Sequence, residues 1–116
     1  MMQFPRGNIY QIISHEGNQA LRIESNNPKD YDKSKIIGTQ PNAHDLGQLW
    51  MIEKVGHGDD DYEIVNCQSN FVWDEEWSDV KLRFGKQSGD QLFKVEKTGN
   101  CWWFKTSSKG NKAVCL

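Results

Sequence analysis

Apolar residues in this chain come in short alternating runs separated by turn-forming residues. Ile9-Tyr10-Gln11-Ile12-Ile13 is followed by His15-Glu16-Gly17-Asn18, and Ala20-Leu21-Arg22-Ile23-Glu24 leads back. A side chain every second position on one face is the signature of a half-buried strand, and Gly and Asn are the residues that let the chain reverse. The polar stretch from Ser25 to Asp32 contains Pro28 and reads as a loop, and Lys35-Ile36-Ile37-Gly38-Thr39 is a third run. A second loop, Pro41 to Gly47, precedes Gln48-Leu49-Trp50-Met51-Ile52-Glu53-Lys54-Val55. Six more runs follow, at Tyr62–Val65, Phe71–Trp73, Val80–Phe84, Gln91–Glu96, Trp102–Lys105 and Ala113–Leu116. No long 3.6-residue periodicity with helix caps interrupts them, so the pattern predicts an all-β chain of roughly ten strands.

The runs also repeat. Three strand-turn-strand segments align as IYQIISHEGNQALRIE, DYEIVNCQSNFVWDEE and CWWFKTSSKGNKAVCL, and two closing segments as GQLWMIEKVG and DQLFKVEKTG. Gln48-Leu49-Trp50 and Gln91-Leu92-Phe93 stand 43 residues apart, and Tyr62 and Trp102 begin matching strands 40 apart. A period of about 40 residues with four short strands suits a β-trefoil or propeller blades, and three copies are too few for a propeller. The expectation is a single domain over residues 1–116, with repeats at about 8–58, 59–99 and 100–116 and the third repeat two strands short.

Length and composition narrow the function classes. At 116 residues and 13.4 kDa there is room for one small core. Five Trp, five Phe and three Tyr supply its bulk, since hydrophobic residues are only 36% and mean hydropathy is −0.78. A net charge of −2 and a pI near 5.9 argue against a phosphate-backbone binder. No window has the apolar length of a membrane span, and Met1 to Gly7 has no apolar signal core. Cys67, Cys101 and Cys115 are odd in number and show no C-x-x-C spacing, which fits small buried thiols rather than a disulfide framework or zinc knuckle. These features favour the cytoplasm, or secretion by a route without a signal peptide.

The Q-x-W triplet at Gln48-Leu49-Trp50, its Q-x-F counterpart at Gln91-Leu92-Phe93, the opening Asn8 to Ile13 and the turn Asn18-Gln19-Ala20-Leu21 resemble the ricin B-like β-trefoil lectin family over nearly the whole chain. The resemblance implies twelve strands in three units, carbohydrate binding and no cofactor. In such a motif the aromatic plugs the pseudo-threefold core, and the Gln bonds loop backbone that burial would otherwise leave unpaired. Gln48, Trp50, Gln91 and Phe93 are therefore structural residues. A missing pair of strands would expose sheet edges, so a homodimer or a partner chain covering the opening is expected.

The family implies a sugar site built from an aromatic platform, a neighbouring acid, and an Asn or Gln near the Q-x-W. In the first repeat Arg22 stands where the acid is expected, Ile36 to Gln40 holds no aromatic, and Gly47 replaces the polar residue before Gln48, with Asp45 and His44 as compensating groups. The second repeat carries the candidate carbohydrate site: Asp74, one position off the expected place, Trp77 or Phe84 as platform, and Asp90 with Gln91 as the polar pair. The competing assignment makes Trp73 and Phe84 core and Asp74-Glu75-Glu76 a solvated turn.

The remaining constellations are bland. Asp59-Asp60-Asp61 lacks the spaced ligands of a calcium loop and reads as a hairpin tip, and His15, His44 and His57 fall in turns without metal-ligand spacing. No serine sits in a nucleophile-elbow context, and no carboxylate pair has assignable acid and base roles. The sequence thus predicts a non-enzymatic glycan-binding module, with glycans or glycoproteins as partners. A trefoil protease inhibitor acting through the loops Ser25–Lys33 or Gln40–Gly47 is the alternative, and a structural or toxin-accessory module a third.

Overall fold

The structure is a computed structural model, and it describes residues 8–14, 17–55, 61–76, 79–83, 85, 91–98, 101–106 and 113–115. Ten strands lie among them: β1 (Asn8–Gln11), β2 (Ala20–Ile23), β3 (Ile36–Thr39), β4 (Leu49–Lys54), β5 (Asp61–Asn66), β6 (Val72–Glu76), β7 (Asp79–Arg83), β8 (Phe93–Thr98), β9 (Cys101–Thr106) and β10 (Ala113–Cys115). Each corresponds to one of the ten apolar runs. Short 3₁₀ turns at Pro28–Asp30 and Leu46–Gln48 are capped by the side chains of Asn27 and Asp45. Among the described residues no helix is long and apolar enough to cross a membrane.

The strands form two layers of a repeating plan. The first and fourth strands of each unit pair along a curved sheet in the order β1-β4-β5-β8-β9, all antiparallel. The second and third strands form the hairpins β2–β3 and β6–β7. Each hairpin joins its own opening strand at one equivalent point. Ile13 pairs with Ala20 in the first unit, and Val65 with Val72 in the second. Registers repeat as well, because Ala20 faces Thr39 where Val72 faces Arg83. The two turns before these hairpins reverse through Asn18 (φ 50°) and Asn70 (φ 62°), aligned asparagines in a left-handed conformation that Asn tolerates better than most residues.

The third unit departs from the sequence alignment. Ala113, not Lys112, pairs with Lys105, so this turn is one residue longer than the other two and β10 slides by one position. The acidic run differs too. Asp61 is the first residue of β5, not a hairpin tip, and its carboxylate meets the Lys94 ammonium at 3.4 Å; Asp59 and Asp60 lie outside the described residues.

Equivalent positions fill one core. Ile12, Ile64 and Phe104 hold the same place in three opening strands, and all are buried. Trp50 and Phe93 are buried at the start of the closing strands, as the second residue of β4 and the first of β8, with Ile52 and Val95 two residues on. Trp73 lies at the centre. Its ring meets Trp50 at 5.7 Å, Phe93 at 5.8 Å and Phe104 at 5.4 Å, every contact edge-on, so one aromatic from each unit touches it. Edge-to-face pairs contribute about 0.5–1.5 kcal/mol each beyond area burial, which makes this cluster the energetic centre of the fold.

Candidate functional site

The two Gln residues of the repeated motif are buried, at 2% and 1% exposure, and both lie just before their strands. Such amides must find partners. Gln48 donates from Nε2 to the Gln40 carbonyl at 2.9 Å and accepts at Oε1 from the Asn42 N–H at 2.8 Å, clamping the loop that leads into β4. Gln11 Nε2 also donates to that Oε1, at 3.2 Å. The loop-bonding role expected of this Gln is what the structure shows.

A carboxylate meets each Gln, from the loop before the motif in the first unit and from the hairpin strand β6 in the second. In the second unit the Gln91 Nε2 donates to Asp74 Oδ2 at 2.9 Å. Asp74 faces Lys81 across the hairpin as Arg22 faces Ile37. Asp74 therefore occupies the place that Arg22 occupies in the first unit, which corrects the sequence reading of Asp74 as one position off. In the first unit that place is cationic, and Asp45 supplies the carboxylate instead. Gln48 Nε2 donates to Asp45 Oδ2 at 3.3 Å, and Arg22 Nε donates to the same oxygen at 2.8 Å.

The Arg22 guanidinium is fully engaged. Besides Asp45 it donates from Nη1 to the Ile23 carbonyl at 2.7 Å and from Nη2 to Asn26 Oδ1. It also lies over Gly47, where a Cβ would come within 2.9 Å of its Cζ, so Gly47 makes room for it. The arginine hydrogen bond holds the Asp45 carboxyl below its ordinary value, outweighing the opposing effect of burial. A filled, internally neutralised position of this kind leaves no acid to receive sugar hydroxyls. His44, the other compensating group considered, is exposed, and its N–H is taken by the Asn42 side chain.

Of the candidate carbohydrate residues, the structure brings Asp74 and Gln91 together; Trp77, Phe84 and Asp90 lie outside the described residues. Trp73, weighed between core and site, is core at 2% exposure. Asp74 is half-buried and Glu75 is buried at 4%, so that pair is not a solvated turn. Cys67 is half-buried, and desolvation pushes its thiol up, away from the reactive thiolate. Among the described residues no group of three or more His, Cys, Asp or Glu is placed to hold a metal.

Sequence reasoning missed Asn66. It is fully buried, donates to the Gly47 carbonyl at 3.1 Å, and accepts at Oδ1 from the Gln68 and Ser69 N–H groups and the Ser69 hydroxyl. One side chain thus ties the second unit's first turn to the closing segment of the first. The signal was present as an Asn with a Ser three residues later at a strand end, the composition of an Asx turn.

No protein-family model matches the sequence, and no curated protein sequence matches it significantly. Solved structures do match. A designed 3-fold symmetric protein, ThreeFoil, superposes with a TM-score of 0.74 at 17% identity, over 88% of this chain and 74% of its own. The Polyporus squamosus lectin, whose structure is bound to the human-type influenza-binding epitope Neu5Acα2-6Galβ1-4GlcNAc, superposes with a TM-score of 0.72 at 19% identity, over 98% of this chain and 44% of the lectin chain. The fold is a β-trefoil. Trp50 and Phe93, equivalent residues of the repeated motif, lie at nearly equal distances from the Trp73 ring.

Proposed function

We propose that this β-trefoil is a carbohydrate-binding module of the ricin B-like type, acting without chemistry, and that its site lies in the second unit. The observation that carries the reading is the Asp74–Gln91 hydrogen bond. A half-buried carboxylate, held in place by a buried amide on an adjoining element, is pre-oriented to accept from vicinal hydroxyls. Fixing the acceptor beforehand removes an ordering cost from a weak interaction. Trp77 or Phe84 supplies the stacking surface in this reading, and Asp90 a second polar contact. The first unit takes no sugar at the equivalent place, because Arg22 and Asp45 satisfy each other there.

Binding at a single site of this kind is weak, and avidity follows from several copies. A second copy would add at β1, which pairs only with β4 among the described strands; sedimentation velocity across a concentration range should then show a concentration-dependent dimer. A glycan array tests the binding itself. Wild-type protein should retain a defined set of glycans, and Asp74→Asn, which keeps the shape and removes the charge, should lose them. An array blank across many glycans would remove the reading.

A further inference from the structure

We propose that the glycan carries an acidic substituent, a sulfate or carboxylate, received by Lys35 and Lys81 beside Asp74; this rests on the carbohydrate reading of the second unit. The two hairpins meet edge to edge between β3 and β7. The Lys33 N–H donates to the Leu82 carbonyl at 2.7 Å, the Leu82 N–H donates to the Ser34 carbonyl at 3.0 Å, and Lys35 pairs with Lys81 in an isolated antiparallel bridge. Directly opposed residues in such a bridge project their side chains to the same face, with Cβ atoms about 4.5–5.5 Å apart. Two ammonium groups are therefore rooted side by side. Like charges placed so are unfavourable unless something of opposite sign lies between them.

The neighbouring registers complete the row. The Glu24 N–H donates to the Lys35 carbonyl at 3.1 Å, and Asp74 faces Lys81 across β6 and β7. Across the four strands the order is Glu24, Lys35, Lys81, Asp74: acid, base, base, acid. Positive potential is greatest at the middle of the row, and Asp74 at its end is already engaged by Gln91. A depression of about 260 Å³ opens at that middle, lined by Lys35, Ile36, Val80 and Lys81. Ile36 and Val80, the next residues along the two strands, turn to the opposite face and pack against the core, so the two lysines alone present their side chains on the outer face of the bridge. Among the described residues neither ammonium is engaged in a hydrogen bond or ion pair. The nearby cation Arg83 is directed instead to Asp32, at 3.3 Å.

The arrangement suits a charged oxygen group. Because Lys81 lies directly across from Asp74, one saccharide spans both places, with hydroxyls at Asp74 and Gln91 and its acidic group between the lysines. Partly exposed ion pairs contribute about 0.2–1 kcal/mol each. Two of them favour an acidic glycan over its neutral parent by about two- to thirtyfold.

Two measurements test this. First, sodium sulfate is titrated into the whole protein at constant ionic strength while lysine side-chain NMR signals are followed. The Lys35 and Lys81 signals should shift together and saturate, and Lys35→Gln should abolish the Lys81 response. Shifts spread evenly over all lysines, or none at these two, would overturn the proposal. Second, a glycan panel compares each neutral sugar with its sulfated and carboxylated forms. Wild-type protein should prefer an acidic form by about two- to thirtyfold, Lys35→Gln and Lys81→Gln should each lower the acidic-to-neutral ratio, and the double variant should bring it close to one. Equal retention of neutral and acidic forms by the wild type defeats this proposal while leaving glycan binding at Asp74 intact. A saturating sulfate response with no glycan retained supports the anion site and removes the carbohydrate reading.

Discussion

Trp50 and Trp73 are equally deep in the core and differ in one bond. The Trp50 indole N–H donates to the Leu21 carbonyl at 2.9 Å, whereas the Trp73 indole N–H is buried with no acceptor among the described residues. Replacing either ring by Phe removes volume from the same cluster. Only Trp50→Phe also strands a carbonyl, so it should cost about 1 kcal/mol more than Trp73→Phe in urea denaturation. Asp45 is a second residue whose neighbours set its worth. Asp45→Ala should destabilise by about 1–2 kcal/mol, since it leaves the half-buried Arg22 without its counter-ion and loosens Gln48. The pair is also readable through pH. The folded state holds the Asp45 carboxyl below its ordinary value of 3.8, so its stabilisation is complete above that value and is lost as pH falls through the lowered one. Glu63 has the opposite sign. Burial, and then Glu53 directly across from it, push its carboxyl above 4.5, so stability falls as pH rises from 4.5 through the raised value. Glu63→Gln should flatten that decline and raise the melting temperature at neutral pH, as read by calorimetry.

At the scale of the strands and turns, most of the architecture was legible because a strand half-buried on one face writes a period of two. All ten apolar runs became strands, and the aligned positions Ile12, Ile64 and Phe104 became aligned core. The failures occurred where the signal lies outside side-chain periodicity. One extra turn residue before β10 changes no apolar alternation, so the register shift at Ala113 could not be seen. The exchange of Asp74 for Asp45 as the carboxylate on the motif Gln is a contact between distant segments, visible only as the suggestion that Asp45 compensates for Arg22. The Lys35–Lys81 pair left no trace, because it depends on two hairpins meeting edge to edge. The turns carry their own test. Asn70 is left-handed at φ 62°, and its N–H donates to the Asn66 carbonyl at 2.8 Å. Asn70→Gly should be near neutral in stability, while Asn70→Val should cost about 1–2 kcal/mol, because a branched Cβ is strained there.

For the whole molecule, repetition supplies both stability and the means of diverging. Copies of one unit bring their aromatics to Trp73, and the centre tolerates changes at the periphery of each unit. The first unit carries Arg22 where the second carries Asp74, and Asp45 closes that position. The second holds Asp74 on Gln91, and the account assigns it the sugar. The most direct test of that assignment is a backbone NMR titration with the strongest glycan from the array. The account predicts saturable shifts concentrated at Asp74–Glu76, Val80–Arg83 and Gln91–Leu92, absent in Asp74→Asn, with the Arg22–Asp45 region still. Shifts centred instead on Arg22, Asn26 and Asp45, or unchanged binding by Asp74→Asn, would contradict it.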